Sequence, residues 1–189
     1  MVDISLHLLD LMQNSARAQA TEVALEVAED RERDTLTVTV TDNGKGMDDE
    51  EKRLALDPFY TTKQGKKVGL GLPLVMQAAR MCGGDVKVES GPGSGTKVQV
   101  TFSLSHLDRQ PLGDIPATLV SFMAGNPDIE LSFSYVGEKG TFHMTSSRLF
   151  SKREKETLGQ IALLSLAEER LRAGLARAGF RPDGGGVIG

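Results

Sequence analysis

The chain has little cysteine: Cys82 is the only one in 189 residues, so no disulfide can close within it. That favours a reducing compartment, and a cytoplasmic location is expected. It has no apolar run long enough to span a bilayer and no stretch organised like a secretory signal, so no membrane association is expected. It has no basic excess. The net charge is −4, which gives no broad footprint for nucleic acid. The GxxxxGK[ST] pattern of a Walker phosphate loop does not occur, and there is no internal repeat. What is present is ordinary for a globular protein, with 39% hydrophobic and 25% charged residues. The length suits one domain, or one and a small second one.

The first departure from the ordinary is VTVTDNGKGMDD, Val38 to Asp49. Thr35 to Thr41 alternates like a half-buried strand, so Leu36, Val38, Val40 and Asp42 share the inward face. A carboxylate aimed at the core costs several kcal/mol unless hydrogen-bonded, and a ligand amino group is one such donor. Gly44 and Gly46 follow, and would let the backbone approach a flat ring. Thr96 has the same inward parity in the strand Thr96–Leu104 and could share that donor.

The rest of the chain punctuates clearly. Ile4–Ala20 reads as a helix with an apolar face of Leu8, Leu11, Met12, Ser15 and Gln19. Its other face stacks His7, Asp10, Asn14 and Arg17, a stripe that read alone is a solvated surface. Strands are expected at 22–29 and 85–90, a short acidic-led helix at 48–56 and a helix at 73–81 closed by Gly83 and Gly84. Between 57 and 71 the chain is polar and aperiodic, a loop too long to be a simple turn. It ends in GLGLPLV, which places Gly69 and Gly71 before a helix N-terminus, where unpaired N–H groups favour an anion.

After Leu104 the texture changes, with two prolines in SHLDRQPLGDIP. A helix at 115–124, a hairpin from 129–135 and 141–146, and one long helix from Ser151 to Ala178 are expected. Ser151 and Glu154 form a capping-box pattern at its start. The boundaries drawn are 1–106, a small α/β extension over 107–180, and a flexible tail over 181–189. Three histidines, His7, His106 and His143, are read as structural rather than as phosphate acceptors.

Taken together, DLMQNSARA, DNGKGM, DPFYTTK, GLGLPLV and GSGT stand in one order across residues 4–104. The series resembles the nucleotide-binding boxes of the GHKL superfamily. That superfamily includes the ATP-binding domains of sensor histidine kinases, gyrase, the MutL repair proteins and the ninety-kilodalton heat-shock chaperones. The DPFYTTK…GLGL pair is most similar to histidine kinases, and QNSARAQATEVALEV is as similar to the MutL branch. The resemblance implies an α/β fold, specifically the two-layer α+β sandwich of the Bergerat type with ATP between sheet and helices. It implies ATP and Mg²⁺ as ligands, with Asn14 on the metal and Arg17 on phosphate. Asp42 would read the adenine amino group, aided by Thr96, with Gly44, Gly46 and Met47 around the ring. Residues 57–71 would be the lid, and Phe59, Thr62, Lys63, Gly69, Leu70, Gly71 and Leu72 complete the nucleotide-binding set.

Asp10 falls where hydrolysing members of the superfamily carry a glutamate, and it is the candidate general base. It is one methylene shorter than glutamate, which places its reach to an attacking water in question. No dimerisation segment with a phosphorylated histidine precedes the first helix, so the expected protein is a free-standing kinase-like ATPase that acts on a protein partner or substrate. A nucleotide-gated binding module is the alternative, and a homodimer is a further candidate assembly.

Overall fold

The structure is a computed structural model that describes residues 3–57 and 71–183. The helix α1 spans Ile4–Arg17, capped by Asp3, whose carboxylate accepts the Leu6 N–H. It ends three residues before the expected Ala20, because Gln19 has a positive φ of 61° that turns the chain toward the sheet. The strand β1 (Glu22–Asp30) and β2 (Thr35–Asp42) form the expected antiparallel hairpin. A short helix, α2 (Asp49–Leu56), opens on a capping box between Asp48 and Glu51. The helix α3 (Gly71–Met81) precedes β3 (Val86–Ser90) and β4 (Thr96–Ser103), which pair antiparallel around the GPGSG loop.

The second part of the chain adds α4 (Ile115–Gly125), β5 (Glu130–Gly137) and β6 (Gly140–Thr145). These strands do not form a sheet of their own. Strand β5 lies parallel to β1, with Glu22 opposite Glu130 and Val27 opposite Tyr135. The result is one six-stranded mixed sheet in the order β3-β4-β2-β1-β5-β6.

The expected long helix from Ser151 is two helices. The first, α5 (Lys152–Thr157), has the predicted Ser151–Glu154 capping box, and the second, α6, spans Gln160–Arg177. Leu158 and Gly159 between them are extended, and Gly159 is the N-cap of α6. Leu171 and Leu175 are buried, whereas Ile161 and Leu158 stay exposed, so the apolar spacing read from the sequence mixed core and surface positions. The tail expected at 181–189 is described to Asp183, and its Pro182 carbonyl accepts the Gly113 N–H at 3.0 Å.

One face of the sheet carries the core. Val23, Leu25 and Val27, then Val38, Val100 and Phe133, meet apolar residues of α1, α3, α4 and α6. Each such side chain contributes roughly 1.5–3 kcal/mol on burial. The other face carries exposed residues such as Glu26, Thr41 and Lys97. This two-layer α/β arrangement agrees with the Bergerat fold that the motifs implied. Its consequence is placement: the end of β2, the start of β4 and the flank of α1 converge on one cavity.

Candidate nucleotide site

The cavity has a volume of about 460 Å³, within the range of small-molecule sites. Its walls are mostly apolar: Leu11 from α1, Val40 and Val98 from the sheet, Leu54 from α2 and Leu72 from α3. Asp42 lies in it at 9% exposure, on the inward parity expected from the strand pattern. Its Oδ2 accepts the Ser15 hydroxyl at 2.6 Å, and its Oδ1 accepts the Gly44 N–H at 2.9 Å. These bonds offset much of the desolvation cost. A carboxylate offers about four acceptor positions, so two remain for a donor in the cavity.

Thr96 pairs with Asp42 across the β2–β4 ladder and also lines the cavity. Behind it is Ser90, whose hydroxyl donates to the Gly95 carbonyl at 2.8 Å and accepts the Met47 N–H at 2.8 Å. The Ser90 and Thr96 hydroxyl oxygens are 2.9 Å apart. Ser90 has one proton, already given to Gly95, so Thr96 is the donor between them. Thr96 thus turns lone pairs toward the cavity. Asp42 and Thr96 together form an edge of acceptors, suited to a ring that presents an N–H donor.

Two glycines make room. A Cβ on Gly44 would sit 2.7 Å from the Ala18 carbonyl oxygen, and Gly46 has a φ of +68° with a Cβ position 1.9 Å from the Gly91 carbonyl oxygen. No other residue fits either place without displacing backbone. Asn43, just before them, accepts the Thr21 and Glu22 N–H groups at 2.9 and 3.0 Å and donates to the Thr21 hydroxyl. That clasp fixes the turn after Asp42 to the start of β1.

At the rim, Asn14 Oδ1 accepts from Arg17 Nη1 at 2.9 Å, and both residues line the cavity. Lys45 stands opposite, 3.7 Å from Glu51. At the start of α2 a hydrogen bond from Lys52 holds the Asp49 carboxyl below the usual carboxylate range. Among the described residues no group of three or more His, Cys, Asp or Glu is arranged to hold a metal ion. A cation here would need a site supplied largely by a ligand's own oxygens, for which a single amide oxygen such as Asn14 Oδ1 is suited.

The structure brings Asn14, Arg17, Asp42, Gly46, Met47, Leu72 and Thr96 to the cavity wall, with Gly44 directly behind Asp42. Asp10 is not on that wall. It is exposed on α1, and its Cβ lies 2.9 Å from where a Cβ on Gly71 would stand. Phe59, Thr62, Lys63, Gly69 and Leu70 lie outside the described residues. The polar stripe of α1 is solvated at Asp10 and Arg17, but not at His7. His7 is 6% exposed, with Nε2 3.1 Å from Gln110 Oε1. The spacing of α1 assigns Ser15 to the apolar face, and its contact with Asp42 does not show in that spacing. A hydroxyl among leucines, on the face that meets an inward carboxylate, was the available signal. Ser90 was missed as well, since its role depends on a hairpin geometry that spacing does not give.

Comparison with known proteins agrees with this geometry. Residues 2–106 match the family described as "Histidine kinase-, DNA gyrase B-, and HSP90-like ATPase". Sporulation kinase C of Bacillus subtilis is 29% identical over 96 residues, 51% of this chain and 22% of that protein. The sensor histidine kinase CpxA of Escherichia coli K12 is 30% identical over 100 residues, covering 50% and 21%. ZraS of Salmonella typhimurium is 35% identical over 89 residues, covering 47% and 19%. The chain therefore spans about a fifth of the length of these curated relatives. The N-terminal domain of a DNA repair protein shares the fold at a TM-score of 0.52 and 18% identity, over 81% of this chain and 55% of that one. Family match, fold and cavity agree, and the chain belongs to the histidine kinase-, DNA gyrase B- and HSP90-like ATPase family.

Proposed function

We propose that the cavity binds ATP with Mg²⁺, and that the protein is a signalling kinase or ATPase acting on a protein partner. The observation that carries this is the acceptor edge of Asp42 and Thr96 at one end of an apolar, ring-sized cavity. Asp42 takes the adenine amino proton, held in place by Ser15 and the Gly44 N–H. Leu11, Val98 and Leu54 exclude water from the ring. Asn14 Oδ1 would give Mg²⁺ one oxygen through its second lone pair, and the neighbouring Arg17 guanidinium would face phosphate. Bound Mg²⁺ would supply neutralisation of phosphate charge. Asp10 is the candidate base for hydrolysis. Its place outside the cavity wall and its short side chain favour transfer to a partner over release to water.

The test is purified protein with Mg²⁺ and γ-labelled ATP, following label into free phosphate, acid-stable phosphoprotein and acid-labile phosphoprotein. Asn14→Ala should abolish every pool. Free phosphate that disappears with Asp10→Asn would make the protein an ATPase with Asp10 as base. Label on added partner proteins would make it a kinase. ATP binding with all pools empty would favour a nucleotide-gated binding module. No binding of ATP by the wild type would overturn the proposal.

A further inference from the structure

We propose that the outer edge of β6 is a docking strip for an extended acidic segment of a partner protein. The strand is last in the sheet order, so among the described residues it pairs with β5 on one side only. A second cavity, of about 530 Å³, runs beside it. Four consecutive residues, 142 to 145, border that cavity. Successive side chains of a strand point to opposite faces, so four in a row can share a cavity only along the strand's edge. The cavity is a trough whose one side is a backbone edge open for pairing, the geometry used when an extended peptide adds to a sheet.

The far side of the trough is basic. Arg148 follows β6, while Arg170 and Arg177 come from α6. The latter two are seven residues apart, two turns, and so lie on one side of the helix. Arg170 is matched: it reaches Glu154 at 2.5 Å and also donates to the Leu149 carbonyl. Arg148 and Arg177 have no ion pair among the described residues, and the Arg177 Nε donates to the Ala173 carbonyl of its own helix. His143 is exposed on the same strand. The Thr145 hydroxyl lies buried beside the trough with no hydrogen-bond partner among the described residues. This concentration of cations stands out in a chain of net charge −4. The opposite edge, β3, presents Lys87 and Glu89, one of each sign.

Charge also selects the occupant. Symmetric pairing of β6 with a second copy would set each basic wall against the other, and like charges facing across a ladder destabilise it. An extended segment bearing Asp or Glu on alternate positions satisfies both sides, with its backbone on β6 and its carboxylates on Arg148 and Arg177. The strip is separate from the nucleotide cavity. β6 is three strands from β2, roughly 15 Å across the sheet. The two inferences can therefore fail independently.

The experiment uses the full chain and a fluorescein-labelled octapeptide alternating Glu and Thr, followed by anisotropy at low salt. The same peptide with Lys in place of Glu is the charge control, and one with proline at two central positions is the backbone control. The acidic peptide should bind at least tenfold more tightly than either. Arg148→Glu and Arg177→Glu should each weaken it at least fivefold. Lys87→Glu, the same charge change on the other edge, should leave it unaltered. Both arginines are exposed, so the variants are expected to fold, and their nucleotide affinity should match the wild type. Equal binding of the acidic and basic peptides would overturn the proposal, as would indifference to Arg177→Glu. A dimer in sedimentation velocity that excludes the acidic peptide would assign the edge to a second copy and overturn it equally.

Discussion

The two halves of the sheet are built from similar strands and serve different ends. The half made by β1 to β4 has a polar group on its inward face at the same end of two neighbours, Asp42 and Thr96, and leaves a cavity above them. The half made by β5 and β6 puts Leu131, Phe133, Tyr135 and Met144 on the equivalent face and is closed over by α4 and α6. One half gives up packing and keeps a cavity. The other supplies packing, and its one buried tyrosine is held within it: the Tyr135 hydroxyl donates to Glu29 at 2.9 Å, and burial pushes its ionisation well above the usual tyrosine value. A binding site in this fold is thus a local suspension of the rule that fills the rest of the layer.

If this contrast holds, the largest effect on stability should come from the packed half. Phe133→Ala should cost about 3–5 kcal/mol, measured by urea unfolding. Because β5 belongs to the same sheet as β1, unfolding should remain a single transition seen alike by circular dichroism and by a nucleotide-site probe. Two separated transitions would break the comparison. The largest effect on binding should come from the open half. Asp42→Asn should weaken ATP by about 1.5–3 kcal/mol, tenfold to more than a hundredfold, with little change in thermal midpoint. Gly44→Ala should come next, since its Cβ must displace the Ala18 carbonyl that accepts the Lys45 N–H. A roughly tenfold loss of ATP affinity by calorimetry is expected. Ser15→Ala should be milder, about 1 kcal/mol, as Asp42 loses one of two internal donors.

The smallest effect concerns the joint between α5 and α6. The hydrogen bond from Arg170 and the Ser151 donors hold the half-buried Glu154 carboxyl at about 2, below its ordinary 4.5. A depressed folded-state value contributes stability above the unfolded value, and that contribution is lost as pH falls through the folded one. Wild type should therefore melt slightly above Glu154→Gln at pH 6, and the gap should close between pH 4.5 and pH 2. A gap that widens on acidification would show that the joint is held by something else.

Local signals were the legible ones. Strand parity placed Asp42 correctly, because a period of two needs no knowledge of neighbours. The Ser151 cap was readable for the same reason: it is settled within four residues. What spacing did not give was partnership across distance. Ser15 looked apolar by its company, and only the approach of β2 to α1 makes it a carboxylate ligand. The helix from Ser151 read as continuous because leucines recur on both sides of Gly159, although only those past Ala167 reach the core. The parallel match of β1 with β5 has no signature in either strand alone, so the hairpin read as an appendage.

That match bears on how the chain comes to be folded as it is made. Glu22 and its partner Glu130 are more than a hundred residues apart, while the other neighbour of β1 is in place within twenty. During synthesis, at about 5–20 residues per second, one flank of β1 stays bare for roughly 5–20 seconds after the hairpin could close. The alternating valines and leucine of that strand are then open to pairing with other nascent copies. The acids at Glu22, Glu26 and Glu29, on the strand and beside that flank, give it mutual repulsion during the interval. Crowding on a polysome, rather than heat, is where this architecture is most exposed.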